Sequence, residues 1–589
     1  MVRHFGNTNE AAKVNGSIAE NGCGKFDDIN DAALQSIKEL GITHIWLTGV
    51  LEQASSTAYP ERPADDPLLL KGKAGSPYAI RDYFDVSPDY ATDPAKRLDE
   101  FRALLKRMAR HGLKALIDFV PNHVARSYSS DIRPELSFGK DDDPSQFFNR
   151  NNNFFYLGEL HPGGGPPLKL PGKDGPTAYD AESKFGRVTG NNAITWSPSI
   201  HDWFETIKLN YGHDFTVGPP RDDLHPLPGP DAPAQDTPDT WRKMDAVLEY
   251  WQEMGVDGFR VDMAHMIPMA YWGWQTLRCR KRDPEVFFMA EAYDNDPTKL
   301  TEGNVLDELL ACGFDAVYDD PSYSTIKQTV EGHKWANDID AAANPFSDRF
   351  HHSLRYAENH DEVRLASQGN WAASGMNIGR PVSAILYGLG RGPIMIYSGQ
   401  ETGEPADGVE GFSGDDGRSS IFDYGCLPSL TPWVNAHQYD GAKLSPAQQS
   451  LRKFYGKLLK TCAQPAFTHG DYYGLNHANQ GNPHYGRIHD EHTSGHWLYS
   501  FLRRDAETGQ AFLVVANLNP GEALTNVHIQ IPEDALAWLR GPITRQKSLC
   551  FTDHLGSGLV ITAHTEKLSS QGLIMGHIPA QSALYLEIG

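Results

Sequence analysis

Along most of the chain apolar positions recur at two spacings, and the two alternate. Asp31 to Leu40 carries them at helical spacing and stops at Gly41; Ile42 to Val50 follows as a run of β-branched and aromatic residues, so a helix hands over to a strand. The exchange repeats. Pro94 to His111 sets Leu98, Phe101, Leu104, Leu105 and Met108 on one helical face, Gly112 closes it, and Leu113 to Val120 reads as the next strand. After a gap come helix Asp239 to Met254 and strand Gly255 to Met263, then helix Pro268 to Arg282 and strand Val286 to Glu291. A helix around Val305 to Ala311 and strands at Phe314–Tyr318, Leu354–Glu358 and Gly392–Gly399 complete the series. Seven strands alternating with helices predict an α/β fold closed as a (β/α)8 TIM barrel. An eighth is short of residues, because only Met1 to Phe5 stand ahead of the loop Gly6-Asn7-Thr8-Asn9. The first strand is therefore expected to be abbreviated, with translation starting upstream of Met1 as one source of the shortage.

The rhythm lapses twice. From Val124 to Pro238 Gly, Pro, Asp and Asn dominate, yet Phe147, Phe148, Phe154, Phe155, Tyr156, Trp196, Trp203 and Phe204 fall in the same stretch. So many aromatics favour an ordered insertion over a disordered loop. Beyond the helix Pro446 to Thr461 helical periodicity gives way to short strands at Leu498–Leu502, Ala511–Asn517 and Ser582–Leu586, the pattern of an antiparallel β-sandwich. The expected division is 1–123 for the first part of the barrel, 124–238 for the insertion, 239–462 for the rest of the barrel and 463–589 for the sandwich.

Charge narrows the partners. Lys and Arg number 53 against 76 Asp and Glu, a net charge of −23 with no basic block, which argues against nucleic acid and anionic membrane. No run approaches the ~18 apolar residues of a membrane span, and Met1 to Glu10 lacks the apolar core of a signal peptide. A cytoplasmic location is expected. The six cysteines lack any C-x-x-C spacing, so free thiols are expected rather than zinc or a disulfide framework. Aromatics at 11% suit ordinary core filling and also the stacking of rings on sugar faces.

Candidate chemistry gathers at strand ends. In Gly258-Phe259-Arg260-Val261-Asp262 alternation puts Arg260 and Asp262 on one face, aimed at the carboxyl end where α/β barrels place their sites. Alone, such a pair reads as a buried structural ion pair. Asp118, Glu291 and Asp361 stand at the ends of other strands, however, and acidic residues on separate strands of one barrel converge on one pocket. Two carboxylates flanking a bond, one attacking and one passing a proton, are what glycoside hydrolysis requires.

These residues resemble the α-amylase family of glycoside hydrolases, and the resemblance runs along nearly the whole chain. Asp118-Phe119-Val120-Pro121-Asn122-His123 resembles its third-strand motif, Gly258 to Asp262 the fourth, Glu291 the fifth and Glu358-Asn359-His360-Asp361 the seventh. Ile207-Lys208-Leu209-Asn210 resembles the motif late in its inserted domain; Trp46 and Gly392 to Gly399 resemble those of strands two and eight. The resemblance implies Asp262 as nucleophile, kept ionised by Arg260, and Glu291 as general acid and base, raised by an apolar setting that Phe288 and Met289 would provide. It implies Asp361 as transition-state stabiliser, with Tyr78, Asp118, His123, Arg260, His265 and His360 binding sugar. It implies no cofactor for the chemistry and a structural calcium with Asn122 among its ligands. His265-Met266 departs from the Lys-His that many members carry, which bears on the leaving-group contacts and on one calcium ligand.

The leading expectation is a retaining hydrolase of α-1,4-linked glucans such as maltodextrin, starch or glycogen-like chains. A glucanotransferase or maltosyltransferase would use the same covalent intermediate and the same residues. A barrel without catalysis, serving as a binding subunit, is the third reading, and the intact acidic set speaks against it.

Overall fold

The computed structural model describes residues 1–589 apart from 160, 222–225, 409 and 540–545. Seven parallel strands form its main sheet in chain order: β1 (His44–Leu47), β2 (Lys114–Phe119), β3 (Gly258–Val261), β4 (Phe287–Ala290), β5 (Ala316–Tyr318), β6 (Ser353–Tyr356) and β7 (Ile394–Met395). This is the TIM-barrel arrangement, with the sheet open between β7 and β1. Met1–Phe5 form turns and not a strand. Helices return the chain between strands, among them Asp31–Leu40, Arg97–Arg110, Asp239–Met254, Met269–Arg282 and Gly379–Leu389.

Register does the positioning. Leu116 and Phe287 pair with Gly258, and Asp118 and Met289 with Arg260, so one further step along β3 and β4 brings Asp262 beside Glu291. Both are held there by the ladder, Asp262 N–H donating to Phe119 O at 2.9 Å and Glu291 N–H to Val261 O at 2.9 Å. Gly258 is required for this closeness, since a Cβ would lie 2.4 Å from Phe287 O and 2.8 Å from Leu116 Cδ2.

The insertion is ordered around its own small core, in which Phe155, Leu157, Leu168, Leu170, Trp196 and Phe204 are buried. It is tied to the barrel by antiparallel pairing of His123–Ala125 with Thr206–Lys208. The C-terminal part is antiparallel, with a sheet of six strands and a two-stranded one, Leu524–Ile529 with Leu573–Ile578. Its core is continuous with the barrel's: Phe501, Val514 and Tyr585 pack with Val382, Ile385 and Leu458. Arg503, fully buried, caps the carboxyl end of helix Gly379–Leu389 by donating to Gly388 O and Gly390 O, both at 3.0 Å, and to Leu389 O.

Candidate active site

One guanidinium organises the acidic residues. Arg260 Nη1 lies 2.8 Å from Asp262 Oδ1 and 3.4 Å from Asp118 Oδ1, and Nη2 lies 2.7 Å from Glu291 Oε2. Trp46, Tyr78 and Tyr318 surround it, with ring centres 5.0, 5.4 and 5.8 Å from its central carbon. The chain of contacts continues from Asp118 through Tyr78 Oη at 3.5 Å to His360 Nε2 at 2.6 Å and on to Asp361 Oδ2 at 2.9 Å. Tyr78 and His360 also stack, with ring centres 5.4 Å apart. Asp118, Tyr78, Arg260, Asp262, Glu291, His360 and Asp361 thus form one connected cluster. Arg260 faces three carboxylates, with Asp361 a fourth in the same cluster, and that excess of acidic groups favours positive charge developing in their midst.

The protonation states follow from this setting. Burial and the nearby Glu291 carboxylate push the Asp262 carboxyl up, and Arg260 opposes them. Burial also works against Asp361, but His360, Arg260 and Arg418 outweigh it and hold that carboxyl down at about 2. Burial lowers His123 to about 3, helped by Lys208 and Lys71, so its imidazole is neutral and able to share hydrogen bonds with hydroxyls.

Several expectations change. Phe288 does not supply an apolar setting for Glu291. The Phe288 ring packs into the core against Phe259 and Phe314, 5.6 and 5.8 Å away. Glu291 instead meets Arg260, the Met263 N–H at 3.0 Å and Tyr293 Oη at 3.3 Å. Met263 adopts left-handed backbone (φ 47°) to aim that N–H, a conformation costing a non-glycine residue about 1–2 kcal/mol. His265 is fully buried, edge-on to Tyr293 at 5.8 Å and 3.4 Å from Asp296, which places it as support for Tyr293 and not on the cleft wall. His123 reaches the cluster through the Tyr78 backbone, to which its imidazole is hydrogen-bonded, and its ring lies 5.1 Å from Trp203 of the insertion.

Both ends of the Asn122 amide are hydrogen-bonded within the protein. Its Oδ1 accepts a hydrogen bond from Lys208 Nζ at 2.8 Å and its Nδ2 donates to Gly190 O at 2.8 Å. The Lys208 amine takes up Asn122 Oδ1, and burial lowers the amine to about 7. Among the described residues no three His, Cys, Asp or Glu side chains are grouped to hold a metal.

Tyr293, Trp203 and Arg418 join the site without having been picked out as site residues from the sequence. Tyr293 carried a signal, standing two residues after Glu291. Arg418 donates to the Asp361 carbonyl at 3.4 Å while its guanidinium is held by Asp416 at 2.6 Å, and 57 positions separate it from Asp361.

Fold and site define a TIM-barrel enzyme with paired carboxylates at the carboxyl ends of adjacent strands. The chain belongs to the α-amylase family: the family described as "Alpha amylase, catalytic domain" matches residues 3–184 and 233–420, more than half of its length. It is 22% identical over 436 residues to Alpha-amylase 2 of Dictyoglomus thermophilum, a match covering 72% of this chain and 56% of that protein. Over 339 residues it is 26% identical to an alpha-1,4-glucan:maltose-1-phosphate maltosyltransferase of Corynebacterium glutamicum, covering 56% of this chain and 41% of the relative. The chain therefore spans only about half of these relatives' length. In fold it is similar to the α-amylase from Geobacillus thermoleovorans solved with acarbose, at a TM-score of 0.58 and 17% identity over 100% of this chain and 97% of that one. Among the described residues no helix is long and apolar enough to cross a membrane.

Proposed function

We propose that the protein is a retaining enzyme that cleaves α-1,4-glucosidic bonds of maltodextrin, starch or glycogen-like chains. The observation that carries this reading is the pairing of Asp262 and Glu291, side by side in register and held by opposite nitrogens of Arg260. In this reading Asp262 attacks the anomeric carbon while Glu291 protonates the departing oxygen. The glycosyl ester on Asp262 is then released when Glu291 takes the proton back from an incoming hydroxyl. Arg260 spreads its charge over both carboxylates, so either can change protonation without leaving a bare buried anion. Asp361, kept ionised by its neighbours, balances the oxocarbenium-like charge. Tyr78 offers a ring to stack on the sugar, and His123 and His360 offer hydrogen bonds to its hydroxyls.

A sugar hydroxyl in place of water would make the enzyme a transglycosylase, and the similarity to a maltosyltransferase supports that second reading. Incubation with maltoheptaose separates the two: shorter maltooligosaccharides alone mean hydrolysis, and products longer than the substrate mean transfer. Asp262→Asn is expected to lower kcat by about 10⁴-fold or more with the fold intact. A variant keeping most of the wild-type rate would show that Asp262 is not the nucleophile.

A further inference from the structure

Glu291 stands at the end of β4 with its two carboxyl oxygens in different company. Oε2 lies 2.7 Å from Arg260 Nη2 and 3.0 Å from the Met263 N–H. Both neighbours can only donate, so a proton on Oε2 would be pressed against other hydrogens. Oε1 meets the Tyr293 hydroxyl instead, 3.3 Å away. The proton that an acid and base gives and takes therefore belongs on Oε1.

A group that alternates between carboxyl and carboxylate needs a neighbour that suits both forms. A carbonyl oxygen would oppose the carboxylate, and an ammonium would oppose the protonated acid. A hydroxyl serves both, donating to the bare oxygen and turning to accept when that oxygen is protonated. Tyr293 is fixed for this task. Its ring stands edge-on to His265 with centres 5.8 Å apart, and His265, fully buried, lies 3.4 Å from Asp296. The Ala264 N–H donates to Glu291 O at 2.9 Å, which ties the turn carrying His265 to the strand carrying Glu291. Burial, with the Glu291 and Asp361 carboxylates nearby, pushes the tyrosine's own pKa up, so its hydroxyl keeps its proton. A phenylalanine would pack on His265 as well; what the hydroxyl adds is the contact with Glu291.

We propose that Tyr293 is a positioning residue that reserves Oε1 of Glu291 as the oxygen carrying the proton, a role that rests on Glu291 being the acid and base of the reading above. When the glycosidic bond breaks, its electron pair leaves with the glycosidic oxygen, and the proton of the Oε1–H bond joins that oxygen. An Asp262 oxygen forms the new bond to the anomeric carbon, and Tyr293 turns to donate to the bare Oε1. On release, the incoming hydroxyl gives its proton to Oε1 as its oxygen displaces Asp262 from the anomeric carbon. Tyr293 itself neither gains nor loses a proton.

Tyr293→Phe keeps the ring and removes the hydroxyl. Its kcat/KM is measured on maltoheptaose, whose leaving group needs a proton, and on α-maltosyl fluoride, whose fluoride departs with little help. General acid catalysis contributes about 10²–10⁴-fold where the leaving group needs it, so the variant is expected to lose about 10-fold or more on maltoheptaose and less than about 2-fold on the fluoride. In a Glu291→Gln background the same substitution should cost nothing further, because its effect passes through Glu291. Equal losses on the two substrates, no loss on maltoheptaose, or a full additional loss in the Glu291→Gln background overturns the role of Tyr293. Glu291→Gln alone checks the reading beneath it. That variant is expected to show the same split between substrates more strongly, and the absence of a split there overturns the acid assignment itself, whatever Tyr293→Phe does.

Discussion

Arg260 is the residue on which the others depend. It has no exposed surface and faces Asp118, Asp262 and Glu291. In Arg260→Gln those carboxylates would be buried without their counter-charge, a loss of about 3–5 kcal/mol at neutral pH. The sign of its pH dependence follows: burial already raises Asp262 and Asp118 against the opposing Arg260, so with the arginine gone both rise further, the native state binds more protons, and the lost stability returns as pH falls. Urea unfolding of this variant at pH 7 and pH 5 should show it more stable at pH 5 relative to wild type; the reverse ordering would rule out this role. The intact pair sets the activity profile. Because burial and Glu291 raise Asp262, activity that needs its ionised form should fall away on the acid side above the ordinary aspartate value of about 3.9. An acid limb of kcat/KM near the value of about 2 held by Asp361 would instead mean that Asp361 governs it.

Among the elements, the hairpin-like pairing of His123–Ala125 with Thr206–Lys208 explains what was legible in the sequence and what was not. The catalytic candidates could be read because alternation fixes Arg260 and Asp262 on one face, and strand ends in a barrel converge whatever the loops do. Asn122 entered as a cation ligand only through the family resemblance. The competing amine lies 86 residues away, and only the register His123↔Lys208 brings it within reach. His265 was misjudged differently, since sequence spacing does not show that Tyr293 lies over it. Chelation with EDTA is accordingly expected to leave Tm unchanged, while Lys208→Ala deprives Asn122 Oδ1 of its donor at a cost of about 1–3 kcal/mol. A Tm that drops on chelation and recovers with calcium would restore a metal to the account.

At the scale of the whole molecule the question is whether barrel and C-terminal sheets are separate folding units. The sequence divides them clearly, because helical periodicity ends after Thr461. It gives no sign of how they are joined. Arg503 directly follows the strand predicted at Leu498–Leu502, and its side chain is buried and donates to carbonyls on both sides of the junction, including Phe467 O at 3.0 Å and Gly470 O at 2.8 Å. Tyr585 reaches across in the same way, its hydroxyl donating to Ala384 O at 2.6 Å inside helix Gly379–Leu389. That helix is buried at every position but Arg380, so neither part can lose the other without exposing it. Unfolding is therefore expected to be a single calorimetric transition with equal calorimetric and van't Hoff enthalpies. Arg503→Met leaves those carbonyls short of a donor in a dry interface and should cost about 3 kcal/mol or more. Two resolved transitions in the wild type, or an Arg503→Met variant in which only the C-terminal part becomes less stable, would mean that the junction is a contact between independent domains.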